Sequence, residues 1–276
     1  MKKGNLQPTE EVVGSATRRK VVASLAGALL VFALVDAVVF HLIEERTTNR
    51  AYWLLWKKWT LLDAARQPVD WLVLGDSSGN QGVRSDVLSE ELGGSVLNLC
   101  TFGDMLVLQD AWMLERHIER VGAPRNVVVV HVYDVWRRNP ARALRRAHLA
   151  KVPLEWGFWS RFDPPLPLTS SEEKRLLELR YLPLVKDNRT MLAWALHPSR
   201  MFRSDFSVDE TGYMRSDLVS RSLLLADVAY HEKDILPYPE APLSDINRSA
   251  LQKMAALSDQ HGFALYIAAS PVFEGL

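Results

Sequence analysis

The chain has a single cysteine, Cys100, among its 276 residues. One thiol can close no internal disulfide and build no thiolate metal cluster, in whichever compartment the protein resides. An excess of either charge is missing too, since 33 Lys and Arg balance 33 Asp and Glu. That balance removes the broad positive field by which a nucleic-acid binder is recognised, so nucleic acid is not an expected partner. No cluster of His, Asp and Glu stands at ligand spacing, and neither a metal nor a cofactor is implied. There is no internal repeat. With 48% hydrophobic and 24% charged residues, disordered, collagen-like and disulfide-scaffold chains are excluded, and the length suits one large domain or two small ones.

What the sequence does have is one long apolar run. Val21 to Ile43 is interrupted only by Ser24, Asp36 and His41, and as a helix it spans roughly 34 Å, enough for a bilayer core of about 30 Å. Residues 21–43 are therefore expected to form a transmembrane helix. Lys2, Lys3, Arg18, Arg19 and Lys20 precede it, while Glu44 and Glu45 follow. This asymmetry places residues 1–20 in the cytoplasm and the rest of the chain outside it, in the periplasm or at the cell surface. A cleaved signal peptide is the competing reading, but the run exceeds the usual h-region of about 7–15 residues and no small-x-small site follows. Asp36 lies toward the outer end of the span, where it reaches the interface or a partner helix. Residues 44–68 then form a juxtamembrane linker or helix. Its string Tyr52-Trp53-Leu54-Leu55-Trp56-Lys57-Lys58-Trp59 either lies in the headgroup layer or packs its tryptophans on the soluble domain.

From Val69 the pattern becomes apolar run, turn, amphipathic helix, apolar run, the signature of βαβ units and a mostly parallel α/β sheet. The expected strands are Val69–Leu74, Val96–Leu99, Asn126–Val132 and Ala264–Ala268, the third central because its run of four valines suits a strand covered on both faces. Val107, Ala111, Leu114, Ile118 and Val121 form one helical stripe, which makes a crossover helix. Ile246, Ala250, Met254 and Leu257 form a second, with Ser244 as its expected cap and Gly262 beyond its last turn. Residues 135–242 read as an insertion, rich in proline and tryptophan and without a convincing strand. Within it Ser170-Ser171-Glu172-Glu173 supplies a capping box for a helix. The arginines 137, 138, 142, 145 and 146 suit a solvated helix face better than an anion-binding surface.

The first strand runs into Gly75-Asp76-Ser77-Ser78-Gly79-Asn80-Gln81-Gly82, which puts a serine on the first turn past a strand's carboxyl end. Ligands of open α/β sheets bind there, and free N–H groups nearby offer an oxyanion environment. Two families fit the string: Gly75-x-Ser77-x-Gly79 matches the α/β-hydrolase elbow, and Gly75-Asp76-Ser77 matches the opening block of the SGNH (GDSL-type) hydrolases. A serine after the first strand of the domain resembles the second arrangement. The next block resembles Asn98-Leu99-Cys100-Thr101-Phe102-Gly103, and the resemblance implies Gly103 and the N–H of Ser77 or its neighbour as oxyanion donors. The third block falls at His131-Val132-Tyr133-Asp134, without the family's asparagine. There Tyr133 either lends its hydroxyl or is simply a buried tyrosine, with Asp134 a surface-turn aspartate. The family's closing Asp-x-x-His is absent before Leu276, and a missing C-terminal segment is one explanation. The other histidines are poor substitutes by context: His117 and His261 lie on crossover helices, His131 at a strand end, and His148, His197 and His231 in the insertion.

The resemblance extends to membrane-anchored SGNH-like proteins that work beside membrane-bound O-acyltransferases on bacterial envelope polymers. It implies a flavodoxin-like three-layer sandwich over residues 69–276 and a serine enzyme acting on ester-linked acyl groups of a cell-envelope polysaccharide. Ser77 would be the nucleophile, with Asp76, Ser78, Asn80, Asn98, Tyr133 and Asp134 lining the site. Hydrolysis and transfer share this chemistry. The alternative is a non-catalytic SGNH-like protein, without its base, that binds a glycan or a membrane acyltransferase.

Overall fold

The computed structural model describes residues 10–46, 50–138, 148–182, 196, 206–216 and 242–270. Helix α1, Glu10–Arg46, contains the apolar run and extends past it at both ends, because the flanking Glu and Arg residues are themselves helix formers. Its segment Thr17–Val38 has a mean hydropathy of 2.4 and is the one helix among the described residues long and apolar enough to cross a membrane. Asp36 is 5% exposed there, against 66% for Leu34 and 55% for Val38.

Helix α2, Arg50–Ala64, falls within the expected linker of residues 44–68. Leu55, Trp59 and Leu62 recur at i, i+4 and i+7, forming one face, and all three are fully buried in the main core. Trp59 therefore packs on the soluble domain, 6.1 Å from the Phe162 ring, while Trp53 and Trp56 are half-buried.

The domain then runs β1 (Trp71–Gly75), α3 (Ser77–Gly82), α4 (Ser85–Leu92), β2 (Val96–Asn98), α5 (Leu106–Val121) and β3 (Asn126–His131). After the insertion come α7 (Asp245–His261) and β6 (Ala264–Ala269). The four strands pair in parallel in the order β2-β1-β3-β6, so β1 and β3 are the inner pair. Alternation within them sorts side chains to two faces. Leu72, Leu74, Val127 and Val129 join the cluster formed with α2, α5 and α7, whereas Val73 and Val130 join a smaller one with Val96, Cys100 and, from the α3–α4 side, Val83 and Leu88. The expected stripes hold: Val107, Ala111 and Leu114 of α5 and Ala250, Met254 and Leu257 of α7 are buried. Strand β6 is the sheet's edge, with Tyr266 and Ile267 about half exposed.

The described part of the insertion joins the main core: Phe158 and Phe162 pack against Trp112 of α5, Trp159 packs against Phe158, and the Trp112 indole donates to the Pro164 carbonyl at 2.9 Å. Against the sequence reading, it also contains strands, β4 (Phe206–Val208) and β5 (Met214–Ser216), paired antiparallel as a hairpin. Finally, the capping box of helix α6, Ser170–Tyr181, is made by Thr169 and Glu172 rather than by a serine, and Ser244 precedes α7 without its hydroxyl capping it. Arg142, Arg145, Arg146, His197, His231 and residues 271–276 lie outside the described residues.

Candidate functional site

Strand order reverses between β1 and β3, since the chain leaves β1 toward β2 and then crosses back to β3 on the other side. Ligands of open parallel sheets collect at the carboxyl ends of such a pair. The turn out of β1 is forced by Gly75. Its φ is +140°, and a Cβ there would lie 1.9 Å from the Val130 carbonyl oxygen of β3. Only glycine tolerates both. Immediately beyond it Asp76 N donates to that same oxygen at 3.1 Å.

Asp76 is 1% exposed and points down into the fold. Its Oδ1 accepts from Ser78 N at 2.8 Å and from the Ser78 hydroxyl at 2.6 Å, which caps α3. Its Oδ2 accepts from Val132 N at 2.8 Å, stitching the exit of β3 to the exit of β1. Ser78 is thus committed to the fold, whereas the neighbouring Ser77 is exposed.

Beneath this turn sits a pair that the sequence did not advertise. His131, the last residue of β3, places Nε2 2.5 Å from Asp110 Oδ2 of α5 and Nδ1 3.4 Å from Asp76 Oδ2. His131, Asp110 and Asp76 are each 1% exposed. Burial alone would lower the imidazole's pKa, but the two carboxylates outweigh it and raise it to about 9. Burial also dominates at Asp110 and pushes its carboxyl up despite the imidazole. At Asp76 burial is overcome by His131, Ser78 and the Val132 N–H, which hold the carboxyl below its usual range. The hint in the sequence was Asp110 itself, an acid inside the apolar string Leu106-Val107-Leu108-Gln109-Asp110-Ala111-Trp112.

The loop out of β2 lies alongside, with Thr101 N donating to the Gly75 carbonyl at 2.8 Å. Gly103 opens a short 3-10 turn in that loop, and a Cβ on it would fall 2.6 Å from Arg138 Nη1. Arg138, from the loop out of β3, is held by Asp134 through Nη2 at 2.6 Å and Nε at 2.8 Å, with Asp104 3.7 Å from Nη1. Asp134 is therefore the anchor of an arginine, and Tyr133 beside it is half-buried.

Asn98 and Asn80 are fully buried and serve the fold instead of facing solvent. Asn98 Nδ2 donates to the Gly79 and Val83 carbonyls at 3.0 and 3.1 Å, and its Oδ1 accepts from Cys100 N at 3.0 Å. The Asn80 amide reaches Met214 Sδ of the hairpin at 3.4 Å. A second residue missed by sequence reasoning is Lys58. It is fully buried, and its ammonium donates to the carbonyls of Asn98 at 2.9 Å and Gly212 at 2.5 Å. Burial lowers its pKa to about 7, against the partial opposition of Cys100 and Asp209.

The arrangement presents the exposed hydroxyl of Ser77 above the buried Asp76, Asp110 and His131. His131 is turned inward, burial lowers the pKa of His117 within α5, and His261 closes α7 on the exposed surface. Among the described residues no group of three or more His, Cys, Asp or Glu side chains could hold a metal. No family model, no curated protein and no solved structure matches the chain.

Proposed function

We propose that the chain is a membrane-anchored, extracytoplasmic SGNH-like acyl-transfer protein with a flavodoxin-like three-layer domain. Ser77 is its nucleophile, and its substrates are ester-linked acyl groups of a cell-envelope polysaccharide. The observation that carries this reading is the exposed Ser77 on the Gly75-Asp76-Ser77 turn, at the exit of an inner strand where the order of the sheet reverses. The basic residues Lys2, Lys3, Arg18, Arg19 and Lys20 before the apolar run support a cytoplasmic N-terminus and an outer location for the domain.

In this scheme Ser77 Oγ attacks the acyl carbonyl, its proton passes to a base, and the acyl-enzyme forms as the sugar oxygen leaves. Ser78 N already donates to Asp76, so the oxyanion falls to the N–H groups of Ser77, first in α3 and without an intrahelical partner, and of Gly103. Water or a second sugar hydroxyl then receives the acyl group. The scheme requires a proton acceptor from outside the described residues. A multi-pass membrane acyltransferase is the partner that the anchor suits. The test is envelope acylation in cells carrying Ser77→Ala: a changed level is expected, and an unchanged level sinks the enzyme.

The inward-facing His131 favours a second reading, a non-catalytic SGNH-like protein that binds a glycan or an acyltransferase. It predicts that Ser77→Ala is silent while co-purification with a multi-pass protein depends on residues 21–43.

A further inference from the structure

Resting on the acyl-transfer reading, we infer that His131 and Asp110 form a buried ion pair that positions the Ser77 turn by holding the Asp76 carboxylate beneath it. The geometry gives each atom one task. Asp110 Oδ2, 2.5 Å from Nε2, fixes the ring of His131, and the Trp136 ring packs edge-on against it at 5.2 Å between centroids. Ring orientation then brings Nδ1 to within 3.4 Å of Asp76 Oδ2, a charge contact and not an aligned hydrogen bond. Asp76 in turn holds Ser78 N, the Ser78 hydroxyl and Val132 N. These four elements (the end of β3, α5, the exit of β1 and the start of α3) meet at the point where the sheet order reverses.

A carboxylate that is 1% exposed and accepts only neutral donors would carry an uncompensated charge. The imidazolium supplies the compensation, so the turn keeps its shape only while the ring is charged. The charged and titratable groups facing the ring are Asp110 from α5 and Asp76 from the β1 exit, and both carboxylates in turn act on the Cys100 thiol beyond the end of β2. Burial pushes the Cys100 thiol well up, which keeps it neutral. Folded-state His131 gains its proton more tightly than an unfolded imidazole would, so the device is complete below the unfolded value near 6.5 and is lost as pH rises through about 9. Neither residue touches substrate in this account. They act through Asp76, as positioning residues.

The test uses the full chain in lipid nanodiscs, comparing wild type with His131→Gln and Asp110→Asn, each first shown to be folded by its thermal transition. Two readouts are taken. One is amide hydrogen exchange of the segment containing Ser78 and of Val132, the two N–H donors to Asp76, compared at a single pH. At least tenfold faster exchange at both is expected in the variants, with α7 unchanged. The other is the rate at which a fluorophosphonate labels Ser77. The wild-type rate is expected to exceed that of His131→Gln by at least tenfold at pH 7, and the ratio to fall toward one as pH passes about 9, which a merely structural loss would not produce. Unchanged exchange at Ser78 and Val132 overturns the inference even if Ser77 labels normally. A tenfold change in exchange with no labelling of Ser77 in wild type supports the positioning device and overturns the acyl-transfer reading. Labelling with the same rate and the same pH profile in all three proteins overturns the inference alone.

Discussion

Lys58 reaches from helix α2 to the carbonyl of Asn98 at the end of β2, 2.9 Å away. The same ammonium holds Gly212 in the hairpin loop at 2.5 Å. That loop is already seated on β2, because Thr211 accepts from Asn98 N at 2.7 Å, and a Cβ on Gly212 would fall 2.0 Å from the Asn98 carbonyl oxygen. One side chain therefore joins helix α2, an edge strand of the sheet and the insertion.

Replacing it with a residue of similar length exposes the cost. Lys58→Met leaves two buried carbonyls without their donor and should destabilise the domain by about 1–3 kcal/mol. The pH dependence has a definite sign. Folded Lys58 titrates at about 7 instead of 10.5, so between these values this residue binds more protons in the unfolded chain and its own contribution to stability rises with pH. The gap between wild type and Lys58→Met, read from denaturant midpoints, should widen from pH 7 toward pH 10 and be narrowest below pH 7. A gap that shrinks over that range contradicts this account of Lys58.

The turn below Ser77 makes a sharper demand. Gly75→Ala forces a Cβ to 1.9 Å from the Val130 oxygen at a φ of +140°, a combination of backbone strain and overlap that should cost more than about 3 kcal/mol. Gly82 has nothing within 4 Å of its added Cβ, so Gly82→Ala should be neutral or stabilising by up to about 1 kcal/mol. Thermal melts of the two variants should therefore diverge widely.

Helix α2 belongs to the core although it adjoins the long apolar helix α1. Trp59→Ala should cost about 3–5 kcal/mol. A chain shortened to begin at residue 50 should keep a cooperative unfolding transition, while one beginning at residue 69 loses Leu55, Trp59 and Leu62 from the core and should not. Near-ultraviolet circular dichroism separates the two outcomes.

These residues show how far the sequence could be read. The parallel sheet was legible because β1 and β3 are buried on both faces and carry uninterrupted Leu and Val, and α5 and α7 because their apolar residues keep helical spacing. The Ser77 turn was legible for the same reason, a strand running into Gly-Asp-Ser. Contacts far apart in sequence were not. Lys58 and Gly212 are separated by 154 positions, and nothing local distinguishes the buried Lys58 from the half-buried Lys57 beside it. His131 stood at the expected strand end, but its meaning depends on Asp110, which sits on a helix whose register fixes it only after packing. The strands of the insertion were missed for a different reason: Phe206–Val208 and Met214–Ser216 are three residues each, too short to show an alternating pattern.

Ser77, and not Ser78, is proposed as the reactive hydroxyl of this turn. Mass spectrometry of the full chain after exposure to a fluorophosphonate, with the adduct mapped by peptide, decides between the two serines. One adduct on Ser77 is expected, abolished in Ser77→Ala and retained, at a reduced rate, in Ser78→Ala. An adduct on Ser78, or none at this turn, would contradict it.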